Sequence, residues 1–280
     1  MIENIKSILI GLTKEYGPEE VSSALGYGLS LAQQTGAHAT VQSASVKLVL
    51  STTGLSGIIA SLVHFENRRL RALAEAAARA AQDDAAASGV ICTTETPHLA
   101  YPGLLAAFAR QGRLHDLTVV DAEPSSINVD RGLIECLLID SGRPVLVVPP
   151  GRNAFSCRRV VLAWDGSARA ARAAADALPF LRAAESVEVV SVEGEKDLTD
   201  TLMGADIAPH LSRHGVKATV HCLATVNGDA AETLRDAATR FEADMIVMGG
   251  YVHSRLREMV LGGVTQSLLR QSPVPLFMAH

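Results

Sequence analysis

Several features that mark other protein classes are scarce or missing in this 280-residue sequence. Aromatic residues make up only 4% of it, so a core must be built mainly from the aliphatic part of its 48% hydrophobic residues. No apolar run approaches the roughly 18–20 residues that span a bilayer. The chain has 25 basic and 30 acidic residues, and its net charge of −5 argues against nucleic acid as a general partner, because such binding needs a basic surface.

Cysteine patterning and targeting signals are also sparse. The four cysteines lie far apart without C-x-x-C spacing, which predicts free thiols rather than a disulfide framework. Cys157 stands in a polar stretch and is predicted to be the most exposed of them. The opening MIENIKSILIGL has no basic segment followed by a long apolar run and a cleavage site. We therefore expect a soluble, cytoplasmic protein.

Motifs for catalysis and metal binding are missing as well. Neither G-x-x-x-x-G-K-[ST] nor G-x-G-x-x-G occurs, so P-loop and dinucleotide sites have no support. His214, His221 and Cys222 fall within one short region, but metal sites usually need three or four converging ligands. Ser167 follows Asp165-Gly166 and is expected to cap a helix rather than act as a nucleophile. The sequence predicts no catalytic residue, no metal ligand and no enzymatic activity, although a weak ATPase stays open.

What is present is a regular alternation of strand-like and helix-like segments. In the second half, the β-branched run RRVVLAW (158–164) ends at a turn and is followed by an alanine-rich helix with apolar residues at helical spacing. The predicted strands of this half are 158–164, 186–192, 217–226, 244–248 and 273–280. The predicted helices are 168–184, 199–215, 228–243 and 264–272.

The first half has the same alternation. Its predicted strands are 7–12, 39–50, 90–99, 116–122 and 143–150. Its predicted helices are 18–36, 67–89, 101–112 and 130–142. Strands that alternate with helices imply a parallel sheet with helices on both faces, so we predict an α/β fold.

The two halves are similar to each other, which indicates a duplication. HDLTVVDAEP (115–124) parallels ADMIVMGGYV (243–252), and SGRPVLVVPP (141–150) parallels QSPVPLFMAH (271–280). A period near 140 residues indicates a duplicated domain, since solenoid units run about 20–50 residues. We predict two tandem domains, residues 1–150 and 151–280. Because each ends in an apolar strand, pairing of these two strands would cover both edges and make the chain an internal pseudo-dimer.

Motifs of the second half resemble those of the universal stress protein family in its tandem form. They are VLAWDGSARAARAA, then ADMIVMGG before a glycine-flanked loop, then GGVTQSLL and a final PVP strand. The first half resembles the family more weakly. The resemblance implies two doubly wound five-stranded parallel sheets, with strand order 3-2-1-4-5, of the adenine-nucleotide alpha-hydrolase-like type. It also implies a stress-response role, with ATP bound by some members and not by others.

The loop after the fourth strand decides whether the resemblance extends to ATP. In ATP-binding members it is Gly, two residues, Gly, nine residues, Gly, then Ser or Thr. Here Gly249 and Gly262 match, whereas Val252 and Gly263 replace the second glycine and the hydroxyl residue. A β-branched valine does not easily adopt positive φ and would crowd a backbone that approaches phosphate. Gly263 loses one hydroxyl donor but keeps its N–H group.

Other pocket positions of the family are retained in the second half. The resemblance places Asp165 near the adenine and ribose and the Val192 backbone at the adenine edge, at the carboxyl ends of the strands. His253, Arg255 and Arg257 could meet the phosphates of ATP, which would bind together with Mg²⁺. The full set implied to bind the nucleotide is Ala163, Trp164, Asp165, Val192, Met248, Gly249, Gly262, Gly263, Val264 and Thr265.

The first half is expected to be a degenerate copy without ATP. Its first strand continues into Thr13-Lys14-Glu15 instead of Asp-Gly-Ser, and AEPSSINVDRG (122–132) is too short and has no glycine pair. Two functions remain open. The chain is a stress-response or signalling module that binds adenine nucleotide in its second half, or an interaction protein whose pocket has lost its ligand. Neither nucleic acid nor a membrane is expected as a partner, the protein partners are unknown, and a homodimer is allowed.

Overall fold

Strands and helices alternate through the described residues of the computed structural model, which are 2–13, 22–49, 57–122, 129–193, 205–250, 252–255 and 258–280. The strands are β1 (Ser7–Leu12), β2 (His38–Ser43), β3 (Ser45–Val46), β4 (Cys92–Glu95), β5 (His98–Leu99), β6 (Leu117–Asp121), β7 (Val145–Val148), β8 (Arg159–Ala163), β9 (Ser186–Glu193), β10 (Ala218–Ala224), β11 (Met245–Gly249), β12 (Val252–Arg255), β13 (Glu258–Leu261) and β14 (Leu276–Ala279). The helices are α1 (Ser23–Thr35), α2 (Gly57–Ala87), α3 (Tyr101–Gly112), α4 (Val129–Asp140), α5 (Ala168–Asp176), α6 (Leu178–Ala183), α7 (Ala208–Arg213), α8 (Ala230–Arg240) and α9 (Gly263–Arg270).

The main sheet of the α/β fold runs β10-β9-β8-β11-β14-β7-β6-β1-β2-β4. Within this ten-stranded sheet, the strand pairs inside each half are parallel, as expected for strands joined by helical crossovers. Counted along the chain within this sheet, each half has the order third, second, first, fourth, fifth among the described strands.

The two halves meet in the middle of the sheet, at the closing strands. β7 and β14 pair antiparallel, with Leu146 opposite Phe277 and Val147 opposite Leu276. This confirms the predicted pairing of the two apolar closing strands, each of which is buried along its length. The two predicted five-stranded units thus join edge to edge into one continuous ten-stranded sheet. The pairing gives the N–H and C=O groups of both edges their partners.

Helices cover both faces of the sheet. One hydrophobic cluster holds residues of α1, α2, α5, α6 and α7 against what we call the first face. A second cluster holds residues of α3, α4, α8 and α9 against the second face. Both clusters cross the seam between the halves, so the core is shared. None of the helices in the described ranges is long and apolar enough to cross a membrane.

Local differences from the predicted elements have identifiable causes. The predicted helix 168–184 is split into α5 and α6, and Pro179 lies in the first turn of α6, where proline is tolerated. The predicted glycine-flanked loop contains the antiparallel hairpin β12–β13. Parts of the predicted helices 18–36 and 199–215, and Lys14 and Glu15, lie outside the described residues.

Cys157 was wrongly predicted to be the most exposed cysteine. It is 8% exposed, whereas Cys222 on the edge strand β10 is exposed. The reason is that residues 155–157 do not form a free linker. The backbone of Phe155 is bonded on both sides, its N–H donating to Ser30 Oγ and its C=O accepting from Gln34 Nε2.

Two aspartates have the same structural role in the two halves. Asp116 Oδ2 accepts the N–H groups of Lys6 and Ser7, at 2.7 and 2.9 Å. Asp244 Oδ2 accepts those of Arg158 and Arg159, at 2.8 and 3.0 Å. Each carboxylate thus fixes the start of the first strand of its half. The correspondence aligns Ser7 with Arg159.

We expect Asp116→Ala and Asp244→Ala to lower the free energy of unfolding by similar amounts, about 1–3 kcal/mol each, because each leaves two backbone donors unpaired. Urea denaturation measures both values. Asp83→Ala, which removes an exposed carboxylate from α2, is the control and should change stability little. A strongly unequal pair of losses would contradict the equivalence.

A second expectation concerns thiol reactivity. Burial raises the pKa of the Cys157 thiol to about 11 and that of Cys136 to about 12. At pH 8 a thiol with such a pKa is ionised in roughly one molecule in a thousand or fewer, and the thiolate is the reactive form. We expect a disulfide reagent to modify Cys222 first in the native protein. Mass spectrometry of partially labelled protein identifies the site, and early label at Cys157 would refute the expectation.

Candidate functional site

The turn between β8 and α5 lies at the carboxyl ends of the second-half strands, where open α/β sheets form their binding crevice. Asp165 Oδ1 accepts the N–H of Ser167 at 3.0 Å, and Ser167 Oγ accepts the N–H of Ala170 at 3.1 Å. Gly166 has a φ of 69°, a conformation that favours glycine. Asp165 and Ser167 therefore shape the turn themselves, and Ser167 is the helix cap that the sequence predicts.

Gly249, at the end of β11, lies directly against this turn. A Cβ atom placed there would come within 2.8 Å of Ala170 N and of the Arg169 carbonyl carbon. Glycine is thus required for the end of β11 to approach the first turn of α5. This close contact brings the Asp165 turn and the start of the glycine-flanked segment together, as the family resemblance implies.

The hairpin β12–β13 brings the second glycine pair back to the same place. Val252 pairs with Leu261, so the hairpin returns the chain to the side of Val252. Gly262 follows there, although it is more than ten residues from the end of β11 in sequence. Val252 therefore begins a strand, a backbone state that suits a β-branched residue. Arg257 lies outside the described residues, and the side chains of His253 and Arg255 are likewise not described.

The start of α9 differs from the starts of the other helices around the crevice. Its N-cap is Gly262, which provides no side-chain hydrogen bond, whereas Ser167 caps α5 and Asp229 caps α8. The first amides of a helix carry a partial positive charge and form a binding site for anions. Gly263 is exposed, and a Cβ atom there would meet nothing within 4 Å.

Most of the predicted apolar lining lies on the second face. Met248 is buried in the second-face cluster, and Ala163, Val192 and Val264 are partly buried against it. Thr265, in the first turn of α9, is 1% exposed. The ends of β8, β9 and β11 and the start of α9 therefore contribute to one apolar surface beside Gly262 and Gly263.

Trp164 does not join this surface. Its side chain packs against the first-face cluster, and its indole N–H donates to Asp206 Oδ1 at 3.1 Å. The predicted contact of Trp164 with a nucleotide stays a prediction, and the side chains of Trp164 and Ala163 lie on different faces of the sheet. Consecutive residues of a strand point to opposite faces, so Ala163 and Trp164 do not share one.

Two residues at the crevice, Arg169 and His280, were not predicted from the sequence. Arg169 Nε lies 3.1 Å from His280 Nδ1, which is 2.9 Å from the carbonyl oxygen of Gly250. Neither residue belongs to a motif that predicts a site, because Arg169 stands in an alanine-rich helix and His280 in the final strand segment. Only the contact between β11, β14 and α5 brings them together.

The first-half counterpart of this site is occupied by the chain's own carboxylate. Asp121 aligns with Gly249, and it accepts Ser22 Oγ–H at 2.6 Å and the N–H of Ala24 at 2.8 Å. The Asp121 carboxylate therefore accepts from the first turn of α1, a position that favours an acidic group. The prediction that the first half is degenerate rested on its missing Asp-Gly-Ser turn and on a short loop without a glycine pair, and the hydrogen bonds of Asp121 were not predicted.

Comparisons with known proteins place the second half in a family. A model of the universal stress protein family matches residues 156–280. Stress response protein NhaX from Bacillus subtilis (strain 168) is 36% identical over 53 residues, which are 19% of this chain and 32% of that protein. The second half of the chain thus matches the universal stress protein family, whereas the family model does not extend over the first half. The aligned segment spans about a third of the length of NhaX, so the likeness to that relative is local.

Solved structures extend the likeness in fold over both halves. A universal stress protein from Archaeoglobus fulgidus DSM 4304 has a TM-score of 0.71 at 19% identity, covering 97% of each chain. A putative universal stress protein from Pseudomonas aeruginosa UCBPP-PA14 has a TM-score of 0.57 at 15% identity, covering 99% of this chain and 94% of that one. The first half therefore shares the architecture although the family model matches only the second.

The two glycines of the crevice should respond oppositely to substitution. Gly249→Ala places a methyl group against the α5 backbone and should cost about 1–3 kcal/mol of stability, since both sides of the contact are main chain. Gly263→Ala enters open space and should leave stability unchanged or raise it by up to about 1 kcal/mol, because alanine is the better helix former. Urea denaturation of both variants tests this, and equal effects would show that β11 does not pack against α5 as described.

Proposed function

We propose that the protein is a stress-response module that binds one adenine nucleotide, ATP with Mg²⁺, in the second-half crevice. The observation that carries the proposal is the contrast between equivalent positions. Gly249 stands where Asp121 fills the first-half site with a carboxylate, and the nearby α9 begins without a side-chain cap.

The phosphates are proposed to lie at the start of α9. Gly262 provides no side-chain cap, and a Cβ atom at Gly263 would meet nothing within 4 Å. The partial positive charge at this end of the helix favours phosphate oxygens. Arg169, at the first turn of α5, adds a positive charge beside Gly249. Mg²⁺ would be held chiefly by the phosphates and water, as is usual for this ion.

The adenine base is proposed to lie on the second-face surface of Ala163, Val192, Met248 and Val264. Binding sites in open α/β sheets lie outside the carboxyl ends of the strands, where the strand order reverses. In the second half this point lies between β8 and β11. Asp165 follows β8 there, and its carboxylate is assigned to the ribose hydroxyls.

Sensing or signalling, rather than catalysis, is the proposed consequence of binding. A hydrolase needs a group positioned to activate water. Asp165 accepts the N–H of Ser167 in the turn, and its carboxylate is assigned to the ribose rather than to a water molecule. The nucleotide is therefore treated as a ligand whose binding stabilises the second half.

Calorimetric titration with ATP–Mg²⁺ tests the site directly. We expect Gly263→Ser to tighten binding about fivefold, because one added hydroxyl bond is worth about 1 kcal/mol. Asp165→Ala should weaken it by about tenfold through loss of the ribose contact and of the turn. Mass spectrometry of the denatured protein checks for adenine nucleotide carried through purification.

Asp206→Ala is the matched control, since it removes a carboxylate from the same end of the sheet but on the first face. Its affinity for ATP should equal that of the wild type. Absence of heat at submillimolar ATP for both the wild type and Gly263→Ser would reject the proposal. That result would favour the alternative function, an interaction protein with a degenerate pocket.

A further inference from the structure

A second concave site lies between the halves, away from the nucleotide crevice. It is a cavity of about 450 Å³, within the range of roughly 300–1,000 Å³ that small-molecule sites occupy. It lies where the segment before β1 meets α5 and α6. Its charged and polar lining comprises Glu3, Asn4, Asp116, Arg143, Arg172, Asp176, Arg182 and His214.

The duplication supplies an internal comparison for this cavity. Asp116 and Asp244 bond equivalent backbone groups, which aligns Glu3 with Phe155. The caps Ser22 and Ser167 align α1 with α5, so that Tyr27 corresponds to Arg172. The same offset aligns Ser30 with Ala175 and Gln34 with Pro179.

At the other seam, the equivalent space is closed by the chain itself. Phe155 packs edge-on against Tyr27, with ring centroids 5.4 Å apart, and also contacts Phe180 at 5.9 Å. Ser30 and Gln34 bond the backbone of Phe155, at 3.1 and 3.0 Å. Two aromatic rings and two hydrogen bonds thus fill this seam.

All four of these groups are replaced at the cavity. Glu3, Arg172, Ala175 and Pro179 stand at the positions of Phe155, Tyr27, Ser30 and Gln34, and all four line the cavity. The aromatic filling and both backbone anchors are therefore absent there. Tyr27 and Phe155 are buried, whereas Glu3 and Arg172 are exposed, so the exchange replaces a buried aromatic contact by charged side chains open to solvent.

The charges around the cavity are not balanced pair by pair. Asp176 is bonded to Arg172 at 2.7 Å, and Asp116 Oδ2 already accepts two backbone N–H groups. The guanidinium groups of Arg143 and Arg182 have no hydrogen bond or ion pair with any residue that the structure describes. Their planar donors, which match carboxylate and phosphate oxygens, are therefore not engaged by a described residue of the cavity.

We propose that this cavity binds a small organic anion that carries a phosphate or dicarboxylate group. Arg143 and Arg182 bind the dianionic group from the first-half and second-half sides. Glu3 and Asn4 at the same cavity select a ligand that also bears a hydroxyl or ammonium donor. Because its residues come from both halves, the ligand bridges them. The site is independent of the proposed nucleotide site.

Calorimetry and thermal denaturation of the full chain with inorganic phosphate and with malonate test the proposal. We expect at least one probe to bind and to raise the melting temperature. Arg143→Ala/Arg182→Ala should weaken that binding by about tenfold or more, as for loss of charge-assisted hydrogen bonds. Arg79→Ala/Arg110→Ala removes the same charge from exposed positions on α2 and α3 and should bind as the wild type does.

Glu3→Phe/Arg172→Tyr provides an independent check, because it rebuilds the aromatic pair of the other seam. We expect this variant to fold, to melt at a higher temperature and to lose probe binding. Phosphate binding that survives the Arg143→Ala/Arg182→Ala substitution would place the anion elsewhere, for instance at α9, and would overturn the proposal. Failure of both probes to bind at millimolar concentration would also overturn it, whatever the result with ATP.

Discussion

The antiparallel pairing of β7 with β14 is the constraint on which the rest of the structure depends. Each half ends in a short, wholly apolar strand whose exposed edge would be a site of aggregation, and each edge is the partner of the other. The pairing relates the halves by an approximate twofold axis and turns their parallel sheets in opposite directions. It also places the segment before the first strand of each half next to a first-face helix of the other half.

Within this symmetric frame, the two halves differ at a few equivalent positions, and the two proposed sites depend on these differences. Asp121 closes the start of α1 with its carboxylate, whereas Gly249, at the equivalent position, lets the backbone of β11 approach the start of α5. Phe155 fills one seam with an aromatic ring, whereas Glu3, at the equivalent position, lines the cavity at the other seam. A duplicated fold allows such divergence because the shared core and paired strands keep both copies folded while one surface changes.

Much of this architecture follows from local patterns. The alternation of elements, the duplication and the pairing of closing strands depend on periodicity and on internal similarity, which are visible in sequence. The face on which Trp164 packs, the burial of Cys157 and the bond from Asp121 to Ser22 were not foreseen. They depend on contacts between residues far apart in the chain, such as the 99 positions that separate Ser22 from Asp121. The hairpin β12–β13 was not predicted, because the family pattern describes this segment only by the spacing of its glycines.

The cavity between the halves shows how a single backbone difference can open space in a duplicated fold. α1 runs unbroken from Ser23 to Thr35, whereas the equivalent stretch is divided into α5 and α6. Pro179 lies at this division, at the position of Gln34, and proline has neither the backbone N–H nor the side-chain amide that would anchor a neighbouring segment. Without that anchor, the segment before β1 does not need an aromatic residue, and a charged lining is compatible with folding. The asymmetry of the seams therefore originates in helix chemistry rather than in the sheet, which is the same in both halves.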